Sequence, residues 1–153
     1  MQFTGASLLI ELLKRQGIGI VAGIPGGANL PLYDALGQSD LRHILVRHEQ
    51  AGGFLAQGMA RSTGKAAACL ATSGPGAVNL LTAVADAKLD SIPIVAVTGQ
   101  VSSALIGTDA FQEVDTYGMS IPITKHNFPV DGNIKSRHWA NVVLKQAGVE
   151  KKF

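Results

Sequence analysis

The sequence of 153 residues is 46% hydrophobic and 16% charged, which suits one domain with a core and excludes a disordered chain or a coiled coil. The formal net charge of +2 is uneven, because residues 1–130 carry 8 basic and 9 acidic side chains whereas residues 131–153 carry 5 and 2. The main body therefore lacks the basic surface of a nucleic-acid-binding domain, and we expect no nucleic-acid partner.

The predicted helices and strands alternate along most of the chain. Thr4 is expected to cap a helix whose leucines share one face, and Gly17 is expected to close it. Later helices are predicted over 29–38, which Gly37 closes, over about 50–62, and over 80–89. The predicted strands are the apolar runs 18–24, 41–48, 65–72 and 92–100, the last with Pro93 near its start.

These strands are apolar throughout, which is typical of a parallel sheet that helices cover on both faces. We therefore predict an α/β fold with a doubly wound parallel sheet. Ligands of such folds bind at the carboxyl ends of the strands. Those ends read GIPGG, RHEQ, TSGPG and TGQ here, and we expect them to line one crevice.

Beyond Thr98 the periodic pattern weakens. Residues 99–128 are polar and contain glycine, so we expect a long loop with short elements, and loops of this length are often functional. Residues 129–153 form a basic tail in which 136–148 are predicted to make one amphipathic helix, with Trp139, Val142, Val143 and Ala147 near one face.

Cysteine content and hydropathy indicate a reducing compartment. Cys69 is the only cysteine, so neither an internal disulfide nor a zinc cluster of several thiolates is possible. No apolar run reaches the length of a membrane span, and the N-terminus has no basic segment ahead of its apolar part. These features predict a cytoplasmic protein with no membrane partner and no signal peptide.

Several chemical motifs can be weighed against simpler explanations. The PGG and SGPG turns can bind phosphate or serve as plain turns, and neither the GxGxxG nor the Walker fingerprint is present. The four histidines lack metal-ligand spacing. The acids Asp109, Glu113 and Asp115 are better explained as a solvated loop than as an ion site, and Ser73 has no nucleophile-elbow motif.

Glu49 is the only acid in the stretch RHEQAGGFLAQGMARSTGK, at the predicted start of a helix. Acids are favoured at helix starts because they interact with the helix dipole. A carboxylate shielded from water can instead act as the proton partner of a ring nitrogen. Spacing alone leaves both interpretations open and favours the first.

Four segments together resemble one enzyme family. They are GIPGGANLPLYDAL, RHEQAGGFLAQGMARSTGK, ATSGPGAVNLLTAVADAKLDSIPIVAVTGQV and IGTDAFQEVDTYGMSIPITKHN. In order and spacing they resemble the N-terminal domain of the acetolactate synthase (acetohydroxyacid synthase) large subunit, a thiamine diphosphate-dependent family. The resemblance covers about residues 3–128, which implies a pyrimidine-binding domain at 1–128 and an unmatched tail at 129–153.

The resemblance also implies roles for individual residues. Glu49 matches the family's catalytic glutamate, which hydrogen-bonds the N1′ nitrogen of the cofactor's pyrimidine. Other matched positions are expected to bind the cofactor, namely Pro25, Gly26, Thr72, Pro75, Gly76 and Asn79. The positions expected to face the substrate are Gly27, Phe111 and Gln112. No metal ligand is expected in this chain. Ser102 departs from the proline common in the family, which puts the shape of the substrate channel in doubt.

By the same resemblance, the expected function is condensation of two pyruvates, or of pyruvate and 2-oxobutyrate, with loss of CO2 in branched-chain amino acid synthesis. Thiamine diphosphate, Mg2+ and FAD are the implied cofactors, and a homo-oligomer with a regulatory small subunit is the implied assembly. The GDG segment that holds magnesium and the diphosphate in the family is absent, and so is the FAD-contacting domain. We therefore expect a truncated chain without activity of its own. The alternatives are a non-catalytic fragment or assembly module, and another thiamine diphosphate-dependent 2-oxo acid enzyme.

Overall fold

A computed structural model describes residues 4–130, in which helices and parallel strands alternate. The helices are α1 (Gly5–Arg15), α2 (Leu30–Gly37), α3 (Glu49–Thr63), α4 (Pro75–Leu89) and α5 (Thr116–Ser120). The strands are β1 (Ile20–Gly23), β2 (Arg42–Leu45), β3 (Ala67–Ala71) and β4 (Ile94–Thr98). Short 3-10 helices lie at Gly27–Asn29, Ser103–Leu105 and Ile121–Ile123. The tail helix predicted over 136–148 lies outside the described residues.

The strands form one parallel sheet in the order β2-β1-β3-β4. The chain first moves outward from β1 to β2 and then returns to the other side of β1 to form β3. The strand order therefore reverses between β1 and β3, and a crevice at the carboxyl ends of such a pair is where doubly wound sheets bind ligands.

Helices cover both faces of the sheet, which confirms the predicted fold class. On β3, Ala68 and Leu70 belong to a core with α1 and α2, whereas Cys69 and its neighbours Ala67 and Ala71 belong to a second core with α3 and α4. Successive side chains of a strand point to opposite faces, so a strand buried on both faces is apolar at every position.

Helix ends follow the local sequence signals. The Thr4 hydroxyl oxygen accepts a hydrogen bond from the Ser7 amide at 3.1 Å, and Gly17 follows α1 with a positive φ of 78°. Helix α3 starts at Glu49, one residue earlier than predicted, because the His48 side chain caps it by accepting from the Gln50 amide at 3.2 Å. Gly64 ends α3 in the left-handed conformation that glycine adopts without strain.

All four strands are shorter than their apolar runs. Strand β2, predicted over 41–48, is limited to Arg42–Leu45, and Leu45 is 63% exposed. The expectation that every strand is buried on both faces is therefore wrong for β2, which lies at the edge of the sheet. The stretch after Thr98 consists, as predicted, of loop with short elements. Within residues 4–130, every helix is too short or too polar to span a bilayer.

We expect Cys69 to resist thiol reagents in the folded protein. It lies at the centre of β3 with no exposed surface, and burial raises the pKa of its thiol to about 12. If only the unfolded chain reacts, a free energy of unfolding of at least about 5 kcal/mol makes labelling of the folded protein about 10³-fold slower, or more, than labelling of the unfolded chain. Labelling with an aromatic disulfide reagent at pH 8, compared with the rate in denaturant, measures this factor. Rapid native-state labelling would contradict the described packing of β3.

Candidate functional site

The predicted site residues converge on the carboxyl ends of β1 and β3. Gly26 follows β1, Thr72 follows β3, Gly76 lies in the first turn of α4, and Glu49 is the first residue of α3. A hypothetical β-carbon on Gly26 would lie 2.6 Å from the Thr72 side chain, and one on Gly76 would lie 2.7 Å from the Thr72 methyl group. Thr72 is therefore packed between two backbone segments that only glycine allows to approach so closely.

Glu49 is oriented by a neighbouring side chain. Its Oε2 accepts a hydrogen bond from Nδ2 of Asn79, on α4, at 3.0 Å. Its Oε1 would lie 3.2 Å from a β-carbon on Gly76, so this oxygen lies against the glycine-lined crevice. Glu49 opens a helix, as the first interpretation predicts, and it is also a half-buried carboxylate held by an amide, whereas its role as the proton partner of a ring nitrogen stays a prediction.

Thr72 carries an unpartnered hydroxyl on the side that faces Gly26. The Oγ1 atom of Thr72 is buried and has no hydrogen-bond partner among residues 4–130. Buried hydroxyls are normally paired, so an orphaned one at the carboxyl ends of the strands suits contact with a polar ligand. The glycines, the orphaned hydroxyl and the free carboxylate oxygen together suit a flat group with nitrogen atoms at its edge.

The loop after β1 is held by a residue that the sequence did not single out. Asn29 is buried, and its Oδ1 accepts a hydrogen bond from the Gly26 amide at 2.7 Å. Its amide nitrogen donates to the Ile24 carbonyl at 3.4 Å. These bonds fix Gly26 against Thr72. An asparagine two residues after a PGG turn is the signal that could have revealed this role.

Tyr33, on α2, is the second residue that the sequence did not single out. Its hydroxyl lies 2.8 Å from where a β-carbon of Gly23 would be and has no hydrogen-bond partner among the described residues. Burial, and then the negative charge of Glu49, raise the pKa of Tyr33 to about 12. The phenol is therefore neutral near pH 7 and stacks edge-on against His43.

The loop over residues 111–112 lies against the turn after β3. A β-carbon on Gly74 would lie 2.5 Å from the Gln112 carbonyl oxygen, and Gln112 has a positive φ of 60°, which is strained for a residue other than glycine. Phe111 is 88% exposed. The structure thus brings the Gln112 backbone to the β3–α4 turn, whereas the Phe111 side chain faces away from any described neighbour.

The remaining predicted positions lie on the rim of the crevice. Pro25 and Gly27 flank Gly26 and are exposed, and a β-carbon on Gly27 would meet no atom within 4 Å. Pro75 is exposed at the first position of α4, where its fixed φ suits a helix start. Gly26 and Gly76 differ from these three residues, because a side chain at either glycine would clash with Thr72.

The loop acids bond to nearby backbone groups. Asp115 accepts from the Gly118 amide at 2.8 Å, and Glu113 accepts from the Gly107 amide at 3.2 Å. Within the part of the chain that the structure describes, no three His, Cys, Asp or Glu side chains are grouped as a metal site requires. Ser73 is buried and lies beside Thr72, and its hydroxyl has no catalytic base recorded as a hydrogen-bond partner within residues 4–130.

Comparisons with known proteins agree with this geometry. Residues 3–119 match the family described as "Thiamine pyrophosphate enzyme, N-terminal TPP binding domain". The acetolactate synthase isozyme 1 large subunit of Escherichia coli is 67% identical over 130 residues, covering 84% of this chain and 23% of the relative. An acetolactate synthase of Mycobacterium avium is 62% identical, covering 84% and 21%. A probable acetolactate synthase large subunit of Methanocaldococcus jannaschii is 56% identical, covering 82% and 21%. The chain thus spans about a fifth of the length of these relatives.

Proposed function

This chain belongs to the thiamine pyrophosphate enzyme family through its N-terminal TPP-binding domain, and we propose that it forms the pyrimidine-binding half of the cofactor site of an acetolactate synthase large subunit. The single observation that carries the proposal is the Glu49 carboxylate, held by Asn79 at 3.0 Å, beside the cradle of Gly26, Thr72 and Gly76. The high identity to acetolactate synthases supports this enzyme over other thiamine diphosphate-dependent 2-oxo acid enzymes.

The residues present fit the cofactor's pyrimidine ring. Thr72 has a buried hydroxyl without a partner among residues 4–130, and Gly26 and Gly76 present backbone without a side chain next to Thr72. Bound thiamine diphosphate supplies the electron sink for breaking the bond between the carbonyl carbon and the carboxylate of a 2-oxo acid. The proposed role of Glu49 is to hold a proton between its Oε1 and a ring nitrogen.

The neighbours of Glu49 position it for this role. Asn79 donates to Oε2, which leaves Oε1 as the oxygen available to a ligand. Tyr33 contributes a neutral phenol near this end of the sheet, so it adds no second negative charge beside the carboxylate. The hydrogen bond from Asn79 restricts rotation of the Glu49 carboxylate, and Oε1 lies near the bare backbone of Gly76. Such preorganisation of a proton-transfer group lets it act without rearranging during the reaction.

The wider proposal follows the relatives. The enzyme would condense two pyruvates, or pyruvate and 2-oxobutyrate, with release of CO2, and so serve valine, leucine and isoleucine synthesis. Mg2+ and FAD would accompany thiamine diphosphate, and the protein would act in the cytoplasm as a homo-oligomer with a regulatory small subunit. The metal and FAD would be held by parts of the enzyme outside residues 4–130. The alternative, a non-catalytic assembly module, retains the fold without turnover.

The test is an exchange of segments. Residues 4–130 would replace the matching segment of the Escherichia coli isozyme 1 large subunit, and acetolactate would be measured with pyruvate, thiamine diphosphate, Mg2+ and FAD. We expect activity comparable to that of the parent, because the site residues and the core are retained, and no product from the 153-residue chain alone. A folded but inactive exchange protein would favour the assembly module. Product from the chain alone would show that the diphosphate is held without the remaining domains.

A further inference from the structure

An open groove runs along the outer edge of β4. This strand is last in the sheet order, and its outer side has no strand partner among residues 4–130. The groove encloses about 2070 Å³. Leu9 and Leu12 of α1 line one wall, and Leu80, Leu81 and Val84 of α4 line the other. The sheet and the helices on its two faces therefore all end at β4, and apolar side chains from all three layers line the surface there.

The floor of the groove favours association. Strand β4 has the sequence IVAVT, without a charge, and Ala96 at its centre is exposed. Uncharged, exposed edge strands pair readily with further chain, so folded proteins normally cover them. The Gln16 side chain also lines the groove, and both its amide atoms are buried without hydrogen-bond partners within residues 4–130. An occupant of the groove would thus bury apolar surface.

The described part of the chain ends within this groove. Residues 124–130, which include Phe128, Pro129 and Val130, all line it, so the last described residue lies at the groove. We propose that residues 131–153 dock in the groove and cover the free edge of β4. This inference is independent of the cofactor site.

The size and pattern of the tail suit this role. The helix predicted over 136–148 has an apolar face with Trp139, Val142, Val143 and Ala147. A helix of this length is about 20 Å long and about 10 Å wide, which corresponds to a cylinder of about 1,500 Å³. That volume is within the 2070 Å³ of the groove.

Tethering favours the tail over a second copy of the chain. A segment joined by a short linker is present at an effective concentration in the millimolar range, about 10³ times that of a separate chain at micromolar concentration. The tail is basic and lysines such as Lys14, Lys88 and Lys125 lie around the groove, so charge opposes docking weakly. Apolar contact must therefore drive it, and we expect added salt to strengthen docking because salt screens exposed charges.

Trp139 is the only tryptophan and reports on docking directly. In the full 153-residue chain we expect blue-shifted emission and severalfold lower acrylamide quenching than in a peptide of residues 131–153. The variant Ala96→Lys places a charge on the floor of the groove, so we expect its quenching to rise severalfold towards the peptide value. The matched control Ala104→Lys changes an equally exposed alanine that does not line the groove, and its quenching should equal that of the unmodified chain.

Two further readouts keep the test decisive. Protection of Cys69 from labelling shows that each variant is folded. Val142→Lys changes only the tail, and we expect it to raise Trp139 quenching towards the peptide value. Peptide-like quenching of Trp139 in a chain whose Cys69 is protected would overturn the proposal. Protection of Trp139 that rises with protein concentration, together with dimers in light scattering, would also overturn it and assign the groove to a second copy.

Discussion

Replacing Glu49 by Gln in the exchange protein is expected to lower acetolactate formation by about 10²- to 10⁴-fold, the usual contribution of a positioned proton-transfer group. Glutamine keeps the size of the side chain and an oxygen for the 3.0 Å bond from Asn79, but it removes the negative charge beside the cradle. The change should therefore affect the rate and leave the fold intact. Initial rates at saturating pyruvate, Mg2+, FAD and thiamine diphosphate measure this effect.

Glu11→Gln is the matched control for this substitution. Glu11 lies on α1, where it pairs with Arg15 at 2.9 Å, and exposed pairs of this kind contribute little. We expect its rate to match that of the unmodified exchange protein. If Glu49→Gln retained full activity while the exchange protein depended on thiamine diphosphate, the proposed role of Glu49 would be wrong even though the enzyme assignment remained.

Gly53→Ala is expected to destabilise the fold by about 1–3 kcal/mol, the usual cost of overpacking a core. A β-carbon on Gly53 would lie 2.5 Å from Cβ of Ala83 and 3.0 Å from Cδ1 of Leu80. Helices α3 and α4 meet at this point, so relief of the clash would require them to separate. The free energy of unfolding from urea titration measures the effect, with an unchanged m-value showing that the surface exposed on unfolding is the same.

The same helix provides the control. Gly58 is exposed on α3, and a β-carbon there would meet no atom within 4 Å. Gly58→Ala should therefore stabilise the protein by about 0.5–1 kcal/mol, because alanine loses less backbone entropy than glycine in a helix. The two substitutions are chemically identical and have opposite expected signs. Equal effects would mean that α3 and α4 are not packed as described.

The glycines also explain how the site depends on the scaffold. Gly53 sets the distance between α3 and α4, and these two helices present Glu49 and Asn79 from their first turns. A loss of close packing at Gly53 would lengthen the 3.0 Å bond that orients the carboxylate. We therefore expect Gly53→Ala to reduce turnover in the exchange protein in addition to stability, whereas Gly58→Ala should leave turnover unchanged.

Local patterns predicted most helices and strands correctly, and the reason is visible at particular residues. The Thr4 cap of α1 depends on a bond to Ser7, three residues away, and β3 depends on a run of small apolar residues. Both signals lie within a few positions of the chain. Strand β2 was overestimated because an apolar run does not reveal that its strand lies at the edge of a sheet, where Leu45 is exposed.

The sequence by itself determined the fold class, the alternation of elements and, through its family resemblance, the identity of Glu49 as the residue to examine. Only the tertiary structure decided that Thr72 lies between Gly26 and Gly76, that Tyr33 reaches Gly23, and that β4 has a free edge within residues 4–130. The physical reason is the separation, along the sequence, of the residues that interact. Helical and strand periodicity is set by neighbours along the chain, whereas a cradle or an open edge depends on strand order and on backbone approaches between residues far apart in sequence.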